Sequence, residues 1–300
     1  MVSKEPVPLL YNPVAGRGRA AKRIAGVSAL LAENGVANTP VPSRAPGDLI
    51  ELAAGAMEDG HRRLIVAGGD GSIHEVINGV MQVRDGVELG VIPIGTGNDF
   101  AKASSIPLHW EHATALLADR MSSAAPAITI DLGRCNDLYF ANGCGIGFDA
   151  QVADIAEDIR WRIGDLVYLA AFMKLLYKGI ATPNMEVRFG GQVLSGSVTL
   201  VSLCNGPWVG GSFHIAPGAF NNDGLLDIVY AEPVTRRRVL SLLPKLLKGT
   251  HVDASEVRLF ATRSCEVRSQ KPVIWQLDGE VQKPRTDFNI EVLPGALRLL

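Results

Sequence analysis

Short apolar runs alternate with longer amphipathic segments through roughly the first 125 residues of the chain. The runs are typical of buried strands, and the longer segments repeat apolar residues every three or four positions, as a helix does. The predicted strands are residues 8–11, 36–41, 63–67 and 89–94, and the predicted helices are residues 19–34, 48–59, 73–81 and 110–119. This repeated strand–helix order predicts a parallel sheet with helices on both faces.

The pattern changes near Pro126, where short strand-like segments separated by Gly and Asn follow one another. The predicted strands are residues 128–133, 138–142, 184–189, 192–204, 225–230, 257–262, 265–268, 273–277 and 288–293, and the predicted helices are residues 151–177 and 235–248. Such strands predict an antiparallel sandwich or barrel. We therefore expect an α/β domain over residues 1–127 and an all-β domain over residues 128–285. Residues 286–300 either stay in the second domain or complete the first.

Composition and charge narrow the classes of protein. Apolar residues make up 47% and charged residues 20% of the 300 positions, as in a globular protein. The net charge of −2 gives no electrostatic reason to expect a nucleic-acid partner. Residues 1–8 lack the apolar run of a signal peptide, so we expect a cytoplasmic protein.

A glycine-rich stretch, Gly68-Gly69-Asp70-Gly71-Ser72, joins a buried predicted strand to a predicted helix. Three glycines in four residues let the backbone approach a ligand and point its amides at an anion. An acid inside such a turn calls for a cation, which Mg²⁺ bound to a nucleotide phosphate would supply. The alternative is that Asp70 stabilises the turn alone.

A second stretch, Gly95-Thr96-Gly97-Asn98-Asp99, repeats this design after the next strand. The carboxyl ends of parallel strands meet at one edge of a sheet, where ligands bind, so we expect both turns to lie there. Asp99 is either a second acid of the site or a helix N-cap.

The chain has no P-loop, because no Gly-Lys dipeptide occurs in it. Phosphates would therefore be held by backbone amides, by metal and by hydroxyls such as those of Ser72 and Thr96. Asp131, at the end of the first strand of the second domain, is a candidate third acid. A dinucleotide-like pattern, Gly16-x-Gly18-x-x-Ala21, is a weak indication of NAD, because no acid ends the following strand.

Two loops of the second domain also carry candidate chemistry. In the loop over residues 216–225, Asp223 and neighbouring carbonyls either hold a hard cation or form a plain Asp-Gly turn. Asp278-Gly279-Glu280 is typical of a hairpin turn. If this turn faces the glycine-rich turns, Glu280 or Asp278 could take the proton from an alcohol that attacks a γ-phosphate.

Five motifs of the chain resemble, in order, those of the diacylglycerol kinase catalytic-domain superfamily, which includes sphingosine and ceramide kinases. They are Asn12-Pro13 with the following glycines, GGDGS, GTGNDFA, APGAFNNDGLLD and Asp278-Gly279-Glu280. The resemblance is to the small soluble bacterial members and covers nearly the whole chain. It implies an α/β nucleotide domain and a β-sandwich lipid-acceptor domain, with the active site in the cleft.

The resemblance also implies roles for individual residues. ATP would be bound by Asn12, Ser43, Gly68, Gly69, Asp70, Gly71, Ser72, Ile73, His74, Gly95, Thr96 and Asn98. Asp70, Asp99 and Asp131 match the acids of a magnesium–water network. Asp223 matches the side-chain ligand of a structural Mg²⁺, beside the carbonyls of Phe220 and Leu225. Glu280 matches the proton acceptor, and His74 stands where many bacterial members have asparagine.

The expected activity is MgATP-dependent phosphorylation of a lipid hydroxyl, most simply that of diacylglycerol to give phosphatidic acid. The alternatives are another lipid acceptor such as a sphingosine-type base or phosphatidylglycerol, an NAD kinase, and a non-catalytic lipid- or nucleotide-sensing module. The basic helix that begins with Arg236 either packs on the sandwich or makes peripheral, transient contact with a membrane, for which residues 161–178 are a second candidate. The sequence is compatible with a homodimer and does not define the oligomeric state.

Overall fold

The structure, a computed structural model, describes residues 5–83, 86–123, 125–157 and 166–300. The chain forms two compact units. The N-terminal unit contains the residues up to Ile130 together with Gly295–Leu300, and the C-terminal unit contains Asp131–Pro294. Among the described residues, no helix is long and apolar enough to cross a membrane.

Strands and helices alternate along the N-terminal unit, as the pattern predicts. Its elements are β1 (Val7–Tyr11), α1 (Ala15–Glu33), β2 (Asn38–Pro42), α2 (Asp48–Glu58), β3 (Arg63–Gly68), α3 (Asp70–Val83), β4 (Glu88–Pro93), α4 (Asp99–Ala103) and α5 (Trp110–Ser122). β1 lies between β2 and β3, and β3 pairs with β4, all in parallel. Helix α3 begins at Asp70 instead of Ile73, since an acid is favoured in the positively charged first turn of a helix.

The helices of this unit bury the faces that the apolar spacing predicts. In α1 the buried residues are Ala20, Ile24, Val27 and Leu31, which recur every three or four positions. They pack in one core with buried residues of β1, β3, β4 and α5. This core supports the sheet edge that carries the glycine-rich turns.

Helices α2 and α3 are held close together. A Cβ on Gly79 would lie 2.3 Å from the carbonyl oxygen of Ile50, so glycine is required for this approach. The Glu75 carboxylate of α3 accepts hydrogen bonds from the amides of Gly47 (3.0 Å) and Leu49 (3.2 Å). It thereby caps the N-terminus of α2 from a neighbouring helix.

The C-terminal unit is built mainly of antiparallel strands. Its elements are β5 (Ile128–Cys135, which begins in the N-terminal unit), β6 (Leu138–Phe140), β7 (Gly143–Gly147), α6 (Phe148–Glu157), α7 (Leu166–Lys178), β8 (Asn184–Phe189), β9 (Gln192–Ser197), β10 (Leu200–Cys204), β11 (Trp208–Val209), β12 (Phe213–His214), β13 (Leu226–Ala231), α8 (Arg236–Lys248), a 3₁₀ turn (Thr250–Asp253), β14 (Val257–Thr262), β15 (Ser264–Leu277) and β16 (Glu280–Leu299). Strands β14, β13, β10, β7, β15 and β16 neighbour one another in that order. Their inward-facing residues form one apolar core.

Strand β15 takes part in two ladders of this unit. Residues 266–269 pair with β8, and residues 275–277 pair with β7. Its register with β16 shifts between Arg268 and Val273, around Pro272, which has no amide proton to donate. The two strands predicted at residues 265–268 and 273–277 are therefore one irregular strand.

Three details of the C-terminal unit differ from the predicted elements. The single strand predicted over residues 192–204 is wrong, since β9 and β10 are separate strands. The pattern does not predict β7, because three of its five residues are glycine. The helix predicted over residues 151–177 corresponds to α6 and α7, and its residues 158–165 lie outside the described part of the chain.

The end of β16 belongs to the N-terminal unit. Arg298 and Leu299 pair in parallel with Glu88 and Leu89 of β4. The amide of Leu300 donates a hydrogen bond of 3.0 Å to the carbonyl of Leu89. These last residues complete the parallel sheet beside β4.

Candidate active site

The carboxyl ends of four parallel strands meet at one edge of the N-terminal sheet. Ser43 follows β2, Asn12 follows β1, Gly69 follows β3 and Gly95 follows β4. The strand order β2-β1-β3-β4 places a topological switch point between β1 and β3, and α/β sheets bind ligands at such points. The residues predicted to bind nucleotide in this unit therefore stand at or just beyond one edge.

The two glycine-rich turns touch each other directly. A Cβ on Gly95 would lie 2.4 Å from the Cα of Gly69, a distance that no side chain tolerates. The carbonyl of Gly68 accepts hydrogen bonds from the amides of Ile94 (2.8 Å) and Gly95 (3.2 Å). The turns after β3 and β4 are thus parts of one structure.

The start of α3 is suited to bind an anion. The first hydrogen bond of the helix runs from the Ile73 amide to the Gly69 carbonyl, at 3.1 Å. The helix itself does not use the preceding amides of Asp70, Gly71 and Ser72. Such amides, together with the helix dipole, favour a phosphate group. The Ile73 side chain is buried in the unit, so its predicted role in nucleotide binding would not involve that side chain.

Asp70 and Asp99 both have defined partners. Asp70 Oδ1 accepts a hydrogen bond of 3.1 Å from the Phe100 amide, which ties the first turn of α3 to that of α4. Asp99 is buried, and its Oδ1 lies 3.0 Å from Lys102 Nζ. The alternative role of Asp99 as a helix N-cap is wrong, because Asn98 occupies that position and Asp99 is the first helical residue.

Asn98 and Thr96 present polar atoms at this turn. Asn98 has a left-handed backbone, with φ at 52°, and its buried Oδ1 has no hydrogen-bond partner among the described residues. A buried unpartnered oxygen of this kind is a place for a ligand or a water. The Thr96 side chain is exposed.

Arg19 joins the first strand–helix junction to the second glycine-rich turn, and the sequence pattern does not reveal it. Its Nη2 donates to the Gly95 carbonyl at 2.8 Å and to Thr96 Oγ1 at 3.3 Å, while its Nε donates to the Gly16 carbonyl at 2.8 Å. A cation beside phosphate-type turns adds to their positive potential. The available signal was a basic residue directly after Gly16 and Gly18.

The glycines of the dinucleotide-like pattern have a local explanation. A Cβ on Gly16, where φ is 56°, would lie 2.2 Å from the carbonyl oxygen of Ile94. Close packing against the neighbouring turn therefore requires glycine there. Asn12 Oδ1 accepts the Val14 amide at 3.0 Å and shapes the same junction. Farther along, His74 lies buried in α3, with a ring nitrogen 3.4 Å from Asn78 Nδ2.

In the C-terminal unit, Asp131 holds the loop over residues 216–225. Its Oδ2 accepts the Gly224 amide at 2.6 Å, and its own amide donates to the Asn221 carbonyl at 2.7 Å. Asn205, which the sequence reasoning missed, donates from its buried side chain to the carbonyls of Asp131 (2.8 Å) and Ala141 (2.7 Å). Asp131 therefore lies beside the predicted cation loop.

Oxygen donors in this loop fit a hard cation. Asp223 Oδ1 accepts the Leu225 amide at 3.0 Å, so the carboxylate is held at the loop. Burial, together with the negative charge of Asp223, raises the pKa of Asp227, and a cation would relieve that repulsion. Asp223 with the carbonyls of Phe220 and Leu225 offers the ligands that Mg²⁺ prefers. Within the described ranges no three His, Cys, Asp or Glu side chains group to hold a metal, so carbonyls, water or phosphate would supply the remaining ligands.

The Asp278-Gly279 turn joins β15 to β16 as a two-residue hairpin. Both residues have positive φ, 51° and 94°, and Leu277 pairs with Glu280. This is the geometry of a type I′ turn. Glu280 is exposed at the first position of β16.

Asp278, predicted as a candidate base, is used to anchor this turn. Its Oδ1 accepts the amides of Asn142 (2.7 Å) and Gly143 (3.0 Å), and its Oδ2 accepts that of Ala141 (2.9 Å). Its own amide donates to the Gly143 carbonyl at 2.9 Å. Because Ala141 also bonds to Asn205, a short chain of hydrogen bonds connects the turn to the Asp131 loop.

Comparison with known proteins places these features in a family. Residues 6–135 match the diacylglycerol kinase catalytic domain, and residues 143–300 match the YegS C-terminal NAD kinase beta sandwich-like domain. A Mycobacterium tuberculosis protein named diacylglycerol kinase is 34% identical over 303 residues, covering 98% of this chain and 94% of that protein. A Pseudomonas fluorescens protein named "Probable lipid kinase YegS-like" is 32% identical, covering 84% and 82% respectively.

A solved structure supports the fold independently. The crystal structure of a diacylglycerol kinase from Bacillus anthracis str. Sterne matches with a TM-score of 0.78 at 23% identity, covering 99% of this chain and 97% of that one. The predicted fold class, a parallel α/β domain followed by an antiparallel sandwich-like domain, is confirmed. The chain belongs to the diacylglycerol kinase catalytic-domain family of lipid kinases, in the group that carries a YegS-type C-terminal domain.

Proposed function

We propose that the protein transfers the γ-phosphate of ATP to a lipid hydroxyl, most simply that of diacylglycerol, to give phosphatidic acid. The observation that carries this proposal is the pair of touching turns at Gly69 and Gly95, followed by the α3 amides. Relatives named diacylglycerol kinase and YegS-like lipid kinase, similar along nearly the whole chain, support the acceptor class.

On the nucleotide side, backbone and side-chain donors hold the phosphates. The amides of Asp70, Gly71 and Ser72 would donate to the γ- or β-phosphate, and the Thr96 hydroxyl would add a further donor. Arg19 contributes positive charge beside the turn after β4. Mg²⁺ would neutralise charge on the phosphates, and the family resemblance gives Asp70, Asp99 and Asp131 the role of acids in its water network.

On the acceptor side, Glu280 acts as the base. The lipid oxygen forms a bond to the γ-phosphorus as the bridging oxygen to the β-phosphate leaves with ADP, and the hydroxyl proton passes to the Glu280 carboxylate. Asp278 cannot serve equally, since both its oxygens accept backbone amides. Asp278 positions the turn, while the Asp223 loop would support the neighbouring backbone once a cation is bound there.

The activity is tested with radiolabelled ATP and a panel of acceptors. Diacylglycerol, a sphingosine base, phosphatidylglycerol and NAD are each offered, and the products are separated by thin-layer chromatography. We expect labelled phosphatidic acid. Labelled NADP without labelled lipid would favour an NAD kinase, and the absence of any labelled product would leave a binding module and refute the proposal.

The base is tested with Glu280→Gln. Loss of a general base lowers turnover by roughly 100-fold to 10⁴-fold. We therefore expect kcat to fall by at least about 100-fold while ATP still binds. Glu266→Gln on β15, an exposed carboxylate of the same unit, is the control and should retain activity. A fully active Glu280→Gln variant would remove Glu280 as the base.

A lipid acceptor requires contact with a bilayer, and we propose that α7 and α8 provide it. Exposed Leu169, Met173 and Tyr177 recur every four residues along α7, and Tyr177 is 86% exposed. On α8, Leu240 and Leu247 are exposed on one face. A buried cluster that includes Phe172, Leu176 and Val239 packs the two helices together.

Basic residues border this apolar surface and suit an anionic membrane. Arg236 and Arg237 begin α8, and Lys245 and Lys248 lie in its last turn. Arg238 is excluded from this role, because its guanidinium makes two hydrogen bonds to Glu256, at 2.7 Å and 2.9 Å. Lipid binding through such a surface combines apolar burial with attraction to anionic headgroups.

Vesicle sedimentation tests the membrane surface. We expect binding to phosphatidylglycerol vesicles and weaker binding to phosphatidylcholine vesicles, with the preference lost in Arg237→Glu and binding weakened in Tyr177→Ser. Lys271→Glu, an exposed charge reversal on β15, is the control. Equal binding by all three variants would refute this assignment of the surface.

A further inference from the structure

One half-buried carboxylate of the C-terminal unit, that of Asp149, has no part in the mechanism above. Asp149 stands in the first turn of α6, and its Oδ1 accepts the Ala150 amide at 2.8 Å. Its other oxygen lies over Gly145 of β7, where a Cβ would be 1.6 Å away. The absence of a side chain at residue 145 therefore makes the space that the carboxylate fills.

Gln276 connects this carboxylate to the hairpin turn. It is buried in β15, directly opposite Gly145 in the ladder with β7. Its Nε2 donates to Asp149 Oδ2 at 3.1 Å, and its Oε1 accepts the amide of Gly279 at 2.6 Å. One amide group thus bridges the carboxylate and the residue that precedes Glu280.

We propose that Asp149 and Gln276 are positioning residues for Glu280, and that the ionised Asp149 carboxylate fixes the Gln276 amide in the orientation that holds the turn. This inference rests on the proposed function, in which Glu280 takes the acceptor's proton. In this role neither residue contacts the substrate. Their effect passes through the Gly279 amide.

The polarity of an amide gives the arrangement its direction. A carboxylate accepts from the NH₂ end of Gln276, which leaves the carbonyl end for the Gly279 amide. When the proton is on Oδ2, the oxygen that faces Gln276, Asp149 is a donor toward Gln276, and the amide rotates to accept from it. Its NH₂ group would then face the Gly279 amide, donor against donor, and the hydrogen bond that holds the turn would be lost.

The carboxyl group can change charge under ordinary conditions. Burial raises the pKa of Asp149 to about 6. The hydrogen bonds from Gln276 and Ala150 favour the ionised form and oppose this rise, but burial has the larger effect. Among the described residues, the thiols of Cys144 on β7 and Cys204 on β10 interact electrostatically with Asp149. Burial raises the pKa of both thiols, that of Cys204 to about 12, so both stay neutral where Asp149 titrates.

Charged residues of the other neighbouring elements have different surroundings and partners. Lys174 and Lys178 of α7, which packs against α6, are exposed to solvent. Asp278 of the turn is held by three backbone amides on the β6–β7 connection. Asp149 is accordingly the group whose protonation rearranges Gln276.

The first test replaces the carboxylate with a neutral group of the same shape. At about pH 7.5, Asp149→Asn should lower kcat by about tenfold to a hundredfold, as a misplaced base does, while KM for ATP stays within about twofold of wild type. The wild-type fall in kcat below about pH 6 that Asp149 causes should vanish. Asp154→Asn, an exposed carboxylate on the same helix, is the matched control and should keep the wild-type pH profile.

The second test makes the hydrogen bond between residues 149 and 276 depend on a bound proton. In Gln276→Glu, two facing carboxylates are linked when they share one proton, and they repel each other when both are ionised. The turn is then held at low pH and released at high pH, so we expect kcat to fall as pH rises from about 6 to 8. Gln192→Glu on β9 is the control. A purely structural role would not invert the pH profile.

The outcomes separate this inference from the proposed function. If the wild type is active and Glu280→Gln is inactive, but Asp149→Asn and Gln276→Glu keep the wild-type kcat and pH profile, the inference is overturned and the function stands. If Glu280→Gln is fully active, Glu280 is not the base, and both this part of the proposed function and the inference that rests on it are overturned. Thermal unfolding of each variant at both pH values confirms that the folded protein is being assayed.

Discussion

The half-buried carboxylate of Asp149 makes the stability of the C-terminal unit depend on pH in an unusual direction. Its pKa is raised from 3.8 to about 6 because burial disfavours the charged form. Between these values the folded protein binds a proton that the unfolded chain does not, so stability falls as pH rises. Above about pH 6 Asp149 is ionised in both the folded and the unfolded protein, so the full cost of burying the charge is subtracted from the unfolding free energy.

The size of this effect follows from the shift. About two pKa units, at about 1.4 kcal/mol per unit, correspond to about 3 kcal/mol of unfolding free energy. Part of this change in unfolding free energy occurs below about pH 4.5, outside the window chosen for the measurement. Between about pH 4.5 and pH 7.5 the expected change is about 2 kcal/mol. Asp149→Asn removes it, so the variant should gain stability relative to wild type as pH rises through this window.

Urea unfolding at a series of pH values measures the difference between variant and wild type. Trp110→Phe in both backgrounds removes the tryptophan of the N-terminal unit, so that fluorescence reports on the C-terminal unit, where Trp275 is buried. Asp137→Asn, an exposed carboxylate on the β5–β6 turn, should give a flat difference. A flat difference for Asp149→Asn as well would refute the reasoning, since the carboxylate would then titrate normally.

Three further perturbations test other parts of the structure. Gly95→Ala should cost about 1–3 kcal/mol by overpacking and raise KM for ATP, because its Cβ would lie 2.4 Å from the Cα of Gly69; thermal unfolding and kinetics measure both. Asp278→Ala should cost about 1–3 kcal/mol in urea unfolding, because three backbone amides lose their acceptor. Arg238→Ala should raise the pKa of Glu256 from about 2 toward its usual value, because the guanidinium hydrogen bonds and charge are lost; an NMR titration measures it.

Each of these has a control. Gly55→Ala in α2, where a Cβ meets open space, should not lower the melting temperature; a similar loss there would show that any added methyl group is harmful. Asp287→Ala on β16 should leave urea unfolding unchanged, and an equal cost would argue against the anchoring role of Asp278. Arg237→Ala should leave the pKa of Glu256 in place; if Arg238→Ala does so too, the ion pair is not its cause.

The sequence predicts well what depends on local pattern. Strands at residues 63–68 and 88–93 followed by glycines imply two turns at one edge, since parallel strands all point the same way. The contact between Gly69 and Gly95 is a consequence of that arrangement. Its closeness could not be predicted, because it depends on the exact pairing of β3 with β4.

Contacts between distant residues are what the pattern does not predict. The Asp278 carboxylate accepts hydrogen bonds from amides more than a hundred positions earlier in the chain. The motif alone does not reveal this, so it leaves Asp278 and Glu280 as equal candidates for the base. Asp149 and Gln276 are likewise 127 positions apart, and each belongs to an unremarkable segment. Their pairing arises from strand register, which brings Gly145 opposite Gln276. Side-chain roles of this kind require the fold.

The order in which the chain is made has a consequence for the parallel sheet. Domains usually fold in order as the chain leaves the ribosome, N-terminal part first. Here β4 acquires its neighbour Arg298–Leu299 when the whole of the C-terminal unit has already been synthesised. Until then the outer side of β4 is an open strand edge, which favours pairing with other chains. A nascent or truncated form that stops before residue 295 should therefore depend on chaperones, or aggregate, even though its nucleotide-binding turns are complete.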